Sequence, residues 1–172
     1  MKASELPNGE YHSYYRPYID ALKDGELLPS LVSGLKEMED FLNEIEESKL
    51  KFSYAEGKWT IAQVLLHLID AERVFQYRAL RFYRKDETPI PGFDQDMYIL
   101  ECGAEEKTKA DIREEYLTVR KASIALFQSF KEEFLTRTGT ASNAIVSVRA
   151  LGFIINGHQR HHMNIIKERY LV

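Results

Sequence analysis

The 172-residue chain has a single cysteine, Cys102. An internal disulfide is therefore impossible, and so is a zinc site built from thiolates. That pattern suits a reducing compartment. No apolar run approaches the roughly 18 residues of a spanning helix. The start of the chain, Met1-Lys2-Ala3-Ser4-Glu5-Leu6-Pro7, lacks the apolar stretch of a secretory signal. A cytoplasmic protein with no membrane attachment is expected. Positive charge is not in excess either: 23 Lys and Arg stand against 27 Asp and Glu, a net charge of -4. Neutralising phosphates supplies most of the affinity of duplex-binding domains, so nucleic acid is not an expected partner. Phosphate-binding glycine loops, dinucleotide fingerprints and nucleophile elbows are absent, as are internal repeats and low-complexity segments.

What remains is the balance of a soluble globular chain, 44% hydrophobic and 29% charged, at the length of one domain spanning 1–172. Turn signals fall at Pro7-Asn8-Gly9, Asp24-Gly25, Glu56-Gly57, Thr88 to Gly92, Cys102-Gly103 and Thr138-Gly139. Between them, apolar residues recur every three or four positions. This spacing predicts long helices from about Leu31 to Ser48, from Thr60 to Tyr83, from an N-cap at Thr108 to about Phe134, and from about Ser142 to Tyr170. Shorter helical pieces are expected at Tyr14–Leu22 and Gln95–Leu100. With no convincing strand, the fold class is all-α, an antiparallel four-helix bundle. The connection from Arg84 to Lys107 is long for a bundle and is expected either to cross one end or to cover a site.

The residues able to carry chemistry are histidines. His158 and His162 lie four apart on the last predicted helix, about 40° from one another around its axis. They fall on the same stripe as Leu151, Ile154 and Ile165, so they point toward the core. Two imidazoles so placed can share a divalent metal, as in HExxH sites. Here Gln159 stands where such a protease has its glutamate, so that mechanism lacks its base. His67, mid-helix among Val64, Leu68 and Ala71, is the candidate third ligand. Three neutral imidazoles would leave coordination positions open for water or substrate, and without thiolates they suit zinc, nickel or iron(II). The competing reading is three hydrogen-bonded core histidines with no metal.

Other residues are weighed the same way. His161 projects about 60° from His158 on the side opposite His162, which makes it a neighbour of the site or a surface residue. His12 suits a surface or packing role. Asp70, one turn beyond His67, is a candidate to orient it or accept a proton, or to pair with Arg73. Glu72 reads at least as well as one half of a helix-surface salt bridge. Arg78 and Arg81 could meet an anionic substrate or form bundle-end ion pairs. Asp94, Asp96 and Tyr98 could reach a site mouth. Cys102 has no base beside it and is a poor nucleophile candidate. The four tyrosines between Tyr11 and Tyr18 either pack over the bundle or form an interface.

Two stretches carry a resemblance. Trp59-Thr60-Ile61-Ala62-Gln63-Val64-Leu65-Leu66-His67-Leu68-Ile69-Asp70-Ala71-Glu72-Arg73 resembles the opening of the second helix in DinB/YfiT-like proteins. Gly157-His158-Gln159-Arg160-His161-His162-Met163-Asn164-Ile165-Ile166 resembles their Gly-His-x-x-His-His-x-x-x-Ile signature. The resemblance implies a four-helix bundle with a long link between helices two and three. It implies a divalent metal, nickel or zinc with iron also possible, held by three histidines that map to His67, His158 and His162. It also implies a homodimer. Relatives of this kind include bacillithiol S-transferases, mycothiol-dependent maleylpyruvate isomerases, metal-dependent hydrolases and damage-inducible proteins. The expected function is a metal-dependent enzyme, foremost a low-molecular-weight thiol S-transferase acting on small electrophiles, with Asp70 assisting. The alternatives are a hydrolase activating water and a non-catalytic metal-binding stress protein.

Overall fold

The computed structural model describes residues 1–172 and contains six helices and one hairpin. They are α1 (Arg16–Asp20), α2 (Leu27–Glu44), α3 (Ile61–Tyr83), α4 (Gln95–Leu100), α5 (Lys109–Gln128), β1 (Thr138–Ala141), β2 (Ala144–Ser147) and α6 (Val148–Arg169). α3 and α5 each begin with a reciprocal cap. Thr60 accepts from the Gln63 amide while Gln63 reaches back to the Thr60 amide, and Thr108 and Asp111 repeat the arrangement. Two otherwise orphaned donors are satisfied at each start, which is why both starts were readable from sequence.

Each long helix packs chiefly on two others, α3 on α5 and α6, and α2 on α5 and α6. Sequence-adjacent pairs α2/α3 and α5/α6 therefore sit across the diagonals. Their directions follow from named contacts. Tyr170 donates to the Trp59 carbonyl while Phe75 lies beside His158, so α3 and α6 run antiparallel. Arg73 meets Glu115, and Tyr83 stacks on Phe130, so α3 and α5 run parallel. A parallel neighbour can be reached only after the chain has travelled back along the bundle, about 34 Å for a 23-residue helix. That is the reason for the long connection between them.

The ends of three helices differ from the sequence reading. α2 starts at Leu27 because Pro29 falls in the first turn, where no amide hydrogen bond is lost; it ends at Glu44, where Ile45 is extended. α5 stops at Gln128 because the chain turns to stack Phe130 on Tyr83, centroids 3.9 Å apart, and the Lys131 amide donates to the Tyr83 hydroxyl at 2.9 Å. The fourth long helix begins at Val148 rather than near Ser142, because 138–147 folds into a two-stranded antiparallel hairpin. Its tip, Ser142-Asn143, takes positive φ at both positions (51° and 62°), as a two-residue hairpin turn of the tight type demands. A Ser-Asn pair is a weak signal for that turn compared with Asn-Gly, so the strands were missed.

A layer of polar groups crosses the middle of the bundle and divides the apolar core into two clusters. Arg120 of α5 is fully buried and makes a two-pronged pair with Glu72 of α3, Nε to Oε1 at 2.8 Å and Nη2 to Oε2 at 2.9 Å. Ser123 donates to the same carboxylate at 2.6 Å. The third guanidinium nitrogen reaches the Asn156 side chain of α6 at 3.4 Å. Alongside, Gln159 of α6 donates to the Gly34 carbonyl of α2 at 2.8 Å and accepts from Tyr116 of α5 at 2.7 Å. Gly34 has no alternative: a Cβ there would sit 2.1 Å from Asn156 Oδ1. Glu72 is thus a core residue, correcting the reading of it as half of a surface salt bridge; its partner lies 48 residues away.

Removing one half of a buried pair strands the other charge, which costs about 3–5 kcal/mol. Arg120→Met is expected to lower unfolding stability by that amount in denaturant titration. Arg113→Met, which removes a half-exposed pair with Glu39, is expected to cost less than about 1 kcal/mol.

Candidate metal centre

Two adjacent turns of α6 and one turn of α3 bring three imidazoles together. His158 Nε2 lies 3.1 Å from His67 Nε2 and 3.0 Å from His162 Nε2. All three donors lie within 4.8 Å of one another. One ring nitrogen carries either a single proton or a single in-plane lone pair, so His158 Nε2 cannot make two good hydrogen bonds to its neighbours. One cation can satisfy all three. Donors about 2.05 Å from a common ion lie about 2.9 Å apart at octahedral angles and about 3.35 Å apart at tetrahedral ones. The two spacings made by His158 fall between, and the third pair is within 4.8 Å. The donor set fits a borderline divalent metal.

Burial prepares these rings for that role. His67 is pushed down to about 4 by burial. His162 falls to about 3, through burial first and then the neighbouring His67 and His161. His158 is held well below the ordinary histidine value by burial and then by the same crowding. All three are neutral at pH 7, with lone pairs available to a metal. Packing fixes their planes: Trp59 lies 5.0 Å from His67, and Tyr18 and Phe75 lie 5.3 and 6.1 Å from His158.

The tyrosine-rich N-terminal segment packs over the bundle at this point. Gly157 makes that possible, since a Cβ there would meet the Tyr18 carbonyl oxygen at 2.0 Å. Tyr14, Tyr15 and Tyr18 then form one side of a cavity of about 160 Å³ whose floor includes His67 and His158. Phe93 and Gln95, from the long connection, form part of its rim. That connection is held in place by Ile90, which exchanges backbone hydrogen bonds with Thr140 and Ser142 of the hairpin.

The remaining candidates fall elsewhere. Asp70 accepts from Arg73 at 3.3 Å and lines a separate surface groove with Met97, Tyr98 and Cys102. It is not part of the histidine cluster, because the residue one turn on from His67 faces α4 rather than α6. Asp94 caps α4 through the Asp96 and Met97 amides, and Asp96 is exposed. Tyr98 leans on Phe93, 5.1 Å away, outside the cavity. Arg81 is half-buried and paired with Asp86. His161 rests on Tyr18 at 5.0 Å, and His12 caps a short turn by accepting from the Tyr14 amide at 3.2 Å. Arg120, Asn156 and Ser142 were not singled out by sequence reading. A lone Arg on a helix carries no mark of burial until its partner's position is known.

A bundle with diagonal sequence neighbours and three histidines converging at mid-height defines a recognisable class of metal-binding helical proteins. Residues 30–166 match the DinB superfamily, and the chain belongs to that family. It is 24% identical over 144 residues to the Oceanobacillus iheyensis protein named "Putative metal-dependent hydrolase OB0413", covering 83% of this chain and 82% of that one. Its fold is similar to that of YfiT from Bacillus subtilis, described as a probable metal-dependent hydrolase with an unusual four-helix bundle topology. The TM-score is 0.75 at 17% identity, over 95% of this chain and 90% of YfiT. No helix here is long and apolar enough to cross a membrane.

Metal analysis of untagged protein by plasma mass spectrometry is expected to give about one equivalent of a divalent transition metal. Ala substitution at His67, His158 or His162 should remove it, and His161→Ala should retain it. Equal metal content in His158→Ala and wild type would contradict the assignment.

Proposed function

We propose that the protein is a metal-dependent enzyme that activates a small nucleophile at His67, His158 and His162, foremost the thiol of a low-molecular-weight co-substrate transferred to an electrophile. The observation carrying this reading is that three neutral imidazoles converge with no fourth protein ligand among them, and that two of them, His67 and His158, line a cavity. Closed structural sites supply four ligands from the protein, whereas catalytic sites leave positions free. A divalent cation bound there supplies positive charge that favours the deprotonated form of a thiol or of water. Nickel and zinc are the metals this donor set suits best, and iron(II) also fits.

The chain's own groups support a thiol in particular. No Asp or Glu lines the cavity, so there is no carboxylate to take a proton from a weakly acidic nucleophile. A thiol, at about 8.5, is closer than water to losing its proton without a base. Burial raises the phenol of Tyr15, and that of Tyr18 beside it, so both remain protonated donors rather than bases. Trp59 and Phe75 cover the rings and exclude solvent from around them. In the transfer, the thiolate sulfur would form a bond to an electrophilic carbon as the leaving group departs with its electron pair.

Hydrolysis is the second reading, favoured by the descriptions of OB0413 and YfiT as metal-dependent hydrolases. Metal-loaded protein should consume a chloronitroarene only when a thiol such as cysteine is added, and His158→Ala should abolish that turnover. Cleavage of nitrophenyl esters at a rate indifferent to thiol would instead support hydrolysis. Asp70→Asn is expected to change either rate by less than about threefold, because its carboxylate faces another surface.

A further inference from the structure

Arg78 of α3 is only 2% exposed, yet no carboxylate lies within ion-pair distance of it. Its Nε–H has no acceptor; Nη2 donates to the Ser142 hydroxyl at 2.9 Å, and its other polar neighbour is the neutral phenol of Tyr15. The other buried arginine, Arg120, shows what the fold does with a structural guanidinium: it receives a two-pronged carboxylate, a serine and an asparagine in the same layer. Arg81, one turn further on, is paired with Asp86. Of the two buried arginines, Arg78 is the one left without a counter-charge, and it lies on the wall of the cavity that holds His67 and His158.

The surroundings agree with a missing anion. Tyr15 lies beside the guanidinium but provides no negative charge, since burial raises its phenol and keeps the proton on. Burial also pushes Arg78 below its ordinary value, with Tyr15 only partly offsetting the effect. The Ser142 hydroxyl that holds Arg78 comes from a hairpin tip at φ 51°, a conformation non-glycine residues adopt at some cost. Between the two ends of the cavity stands an aromatic ring: Phe75 is 5.9 Å from the Arg78 guanidinium and 6.1 Å from the His158 ring. Phe93 faces the same space.

We propose that Arg78 holds an oxyanion group of the molecule acted on at the histidine centre, so that this molecule is a small organic acid whose apolar middle lies along Phe75. The inference rests on the functional reading above and names its substrate class. A planar guanidinium with a free edge matches carboxylate or phosphate in two-pronged geometry, which an ammonium would not. The cavity, at about 160 Å³, is smaller than the roughly 300–1,000 Å³ of sites for drug-sized ligands. A short ligand is therefore selected, anionic at one end and reactive at the other. The hairpin is part of the specificity, because it positions the arginine without neutralising it.

The test is calorimetric titration of the full chain with benzoate, with its neutral analogue benzamide, and with inorganic phosphate. Each titration is made on chelator-treated protein and on metal-loaded protein. In the metal-free form a carboxylate has no cation to bind, so preference for benzoate over benzamide reports on Arg78 whatever the metal does. Benzoate is expected to bind at least about tenfold more tightly than benzamide. Arg78→Met should remove that preference, a loss of about tenfold to hundredfold, and Arg78→Lys should restore part of it. Ser142→Ala, which leaves the charge but frees it, should weaken benzoate by a smaller factor and keeps the test open if Arg78→Met fails to fold. Tighter binding of phosphate than of benzoate, lost in the same variants, would support the site and assign it to a phosphate ester. Equal binding of benzoate and benzamide, no binding of any anion, or a preference that survives Arg78→Met would overturn it. A metal-free preference in a protein whose turnover proves independent of metal would retain the anion site and discard the catalytic reading instead.

Discussion

The two-pronged contact between Glu72 and Arg120 sets the register of the bundle. Both groups are out of water, and each is tolerable there only because the other is in place. The pair fixes α3 against α5, and its links to Asn156 and to the α2 backbone at Leu31 bring in the other two helices at the same height. Gln159 repeats the device one step along α6, tied to Gly34 and Tyr116. Apolar stripes alone allow helices to slide by a turn with little loss, whereas a layer of directional hydrogen bonds does not.

The histidine cluster depends on that register. Glu72 is five residues from His67, and Gln159 follows His158 directly. A slip of one turn between α3 and α6, about 5.4 Å, would separate imidazole nitrogens that now lie 3.1 Å apart. The histidines are themselves a poor clamp without metal, since three neutral rings offer each other little. The polar layer therefore carries the structural task, and the imidazoles are left with unengaged lone pairs. That division leaves a site buried enough to keep its ligands neutral and open on the side of the cavity.

The rest of the cavity is assembled from segments with little structure of their own. The N-terminal tyrosines reach it because Gly157 lets the backbone at Tyr18 approach α6. The connection after α3 reaches it because Ile90 joins the edge of the hairpin. The hairpin, in turn, delivers Ser142 to Arg78. Three parts of the chain far apart in sequence thus enclose one small volume. This is also where the family resemblance says least, because the matched motifs lie on the helices that form the floor.

Much of this protein was legible in the order of its residues. Helical spacing gave the four long helices, Thr60 and Thr108 marked two of the starts, and the four-residue interval between His158 and His162 placed both on the core-facing stripe. Such features depend on positions within a few turns of each other, where geometry is fixed by the helix itself. Only the tertiary structure decided that Glu72 is buried, that Asp70 turns away from His67, that residues 138–147 form a hairpin, and that Arg78 lacks a carboxylate partner while Arg120 has one. Each of those depends on what another segment brings to the same point in space, and one sequence does not encode that distance in any local pattern. The local code specified which groups this protein carries; the packing of distant segments determined which of them were left unpaired.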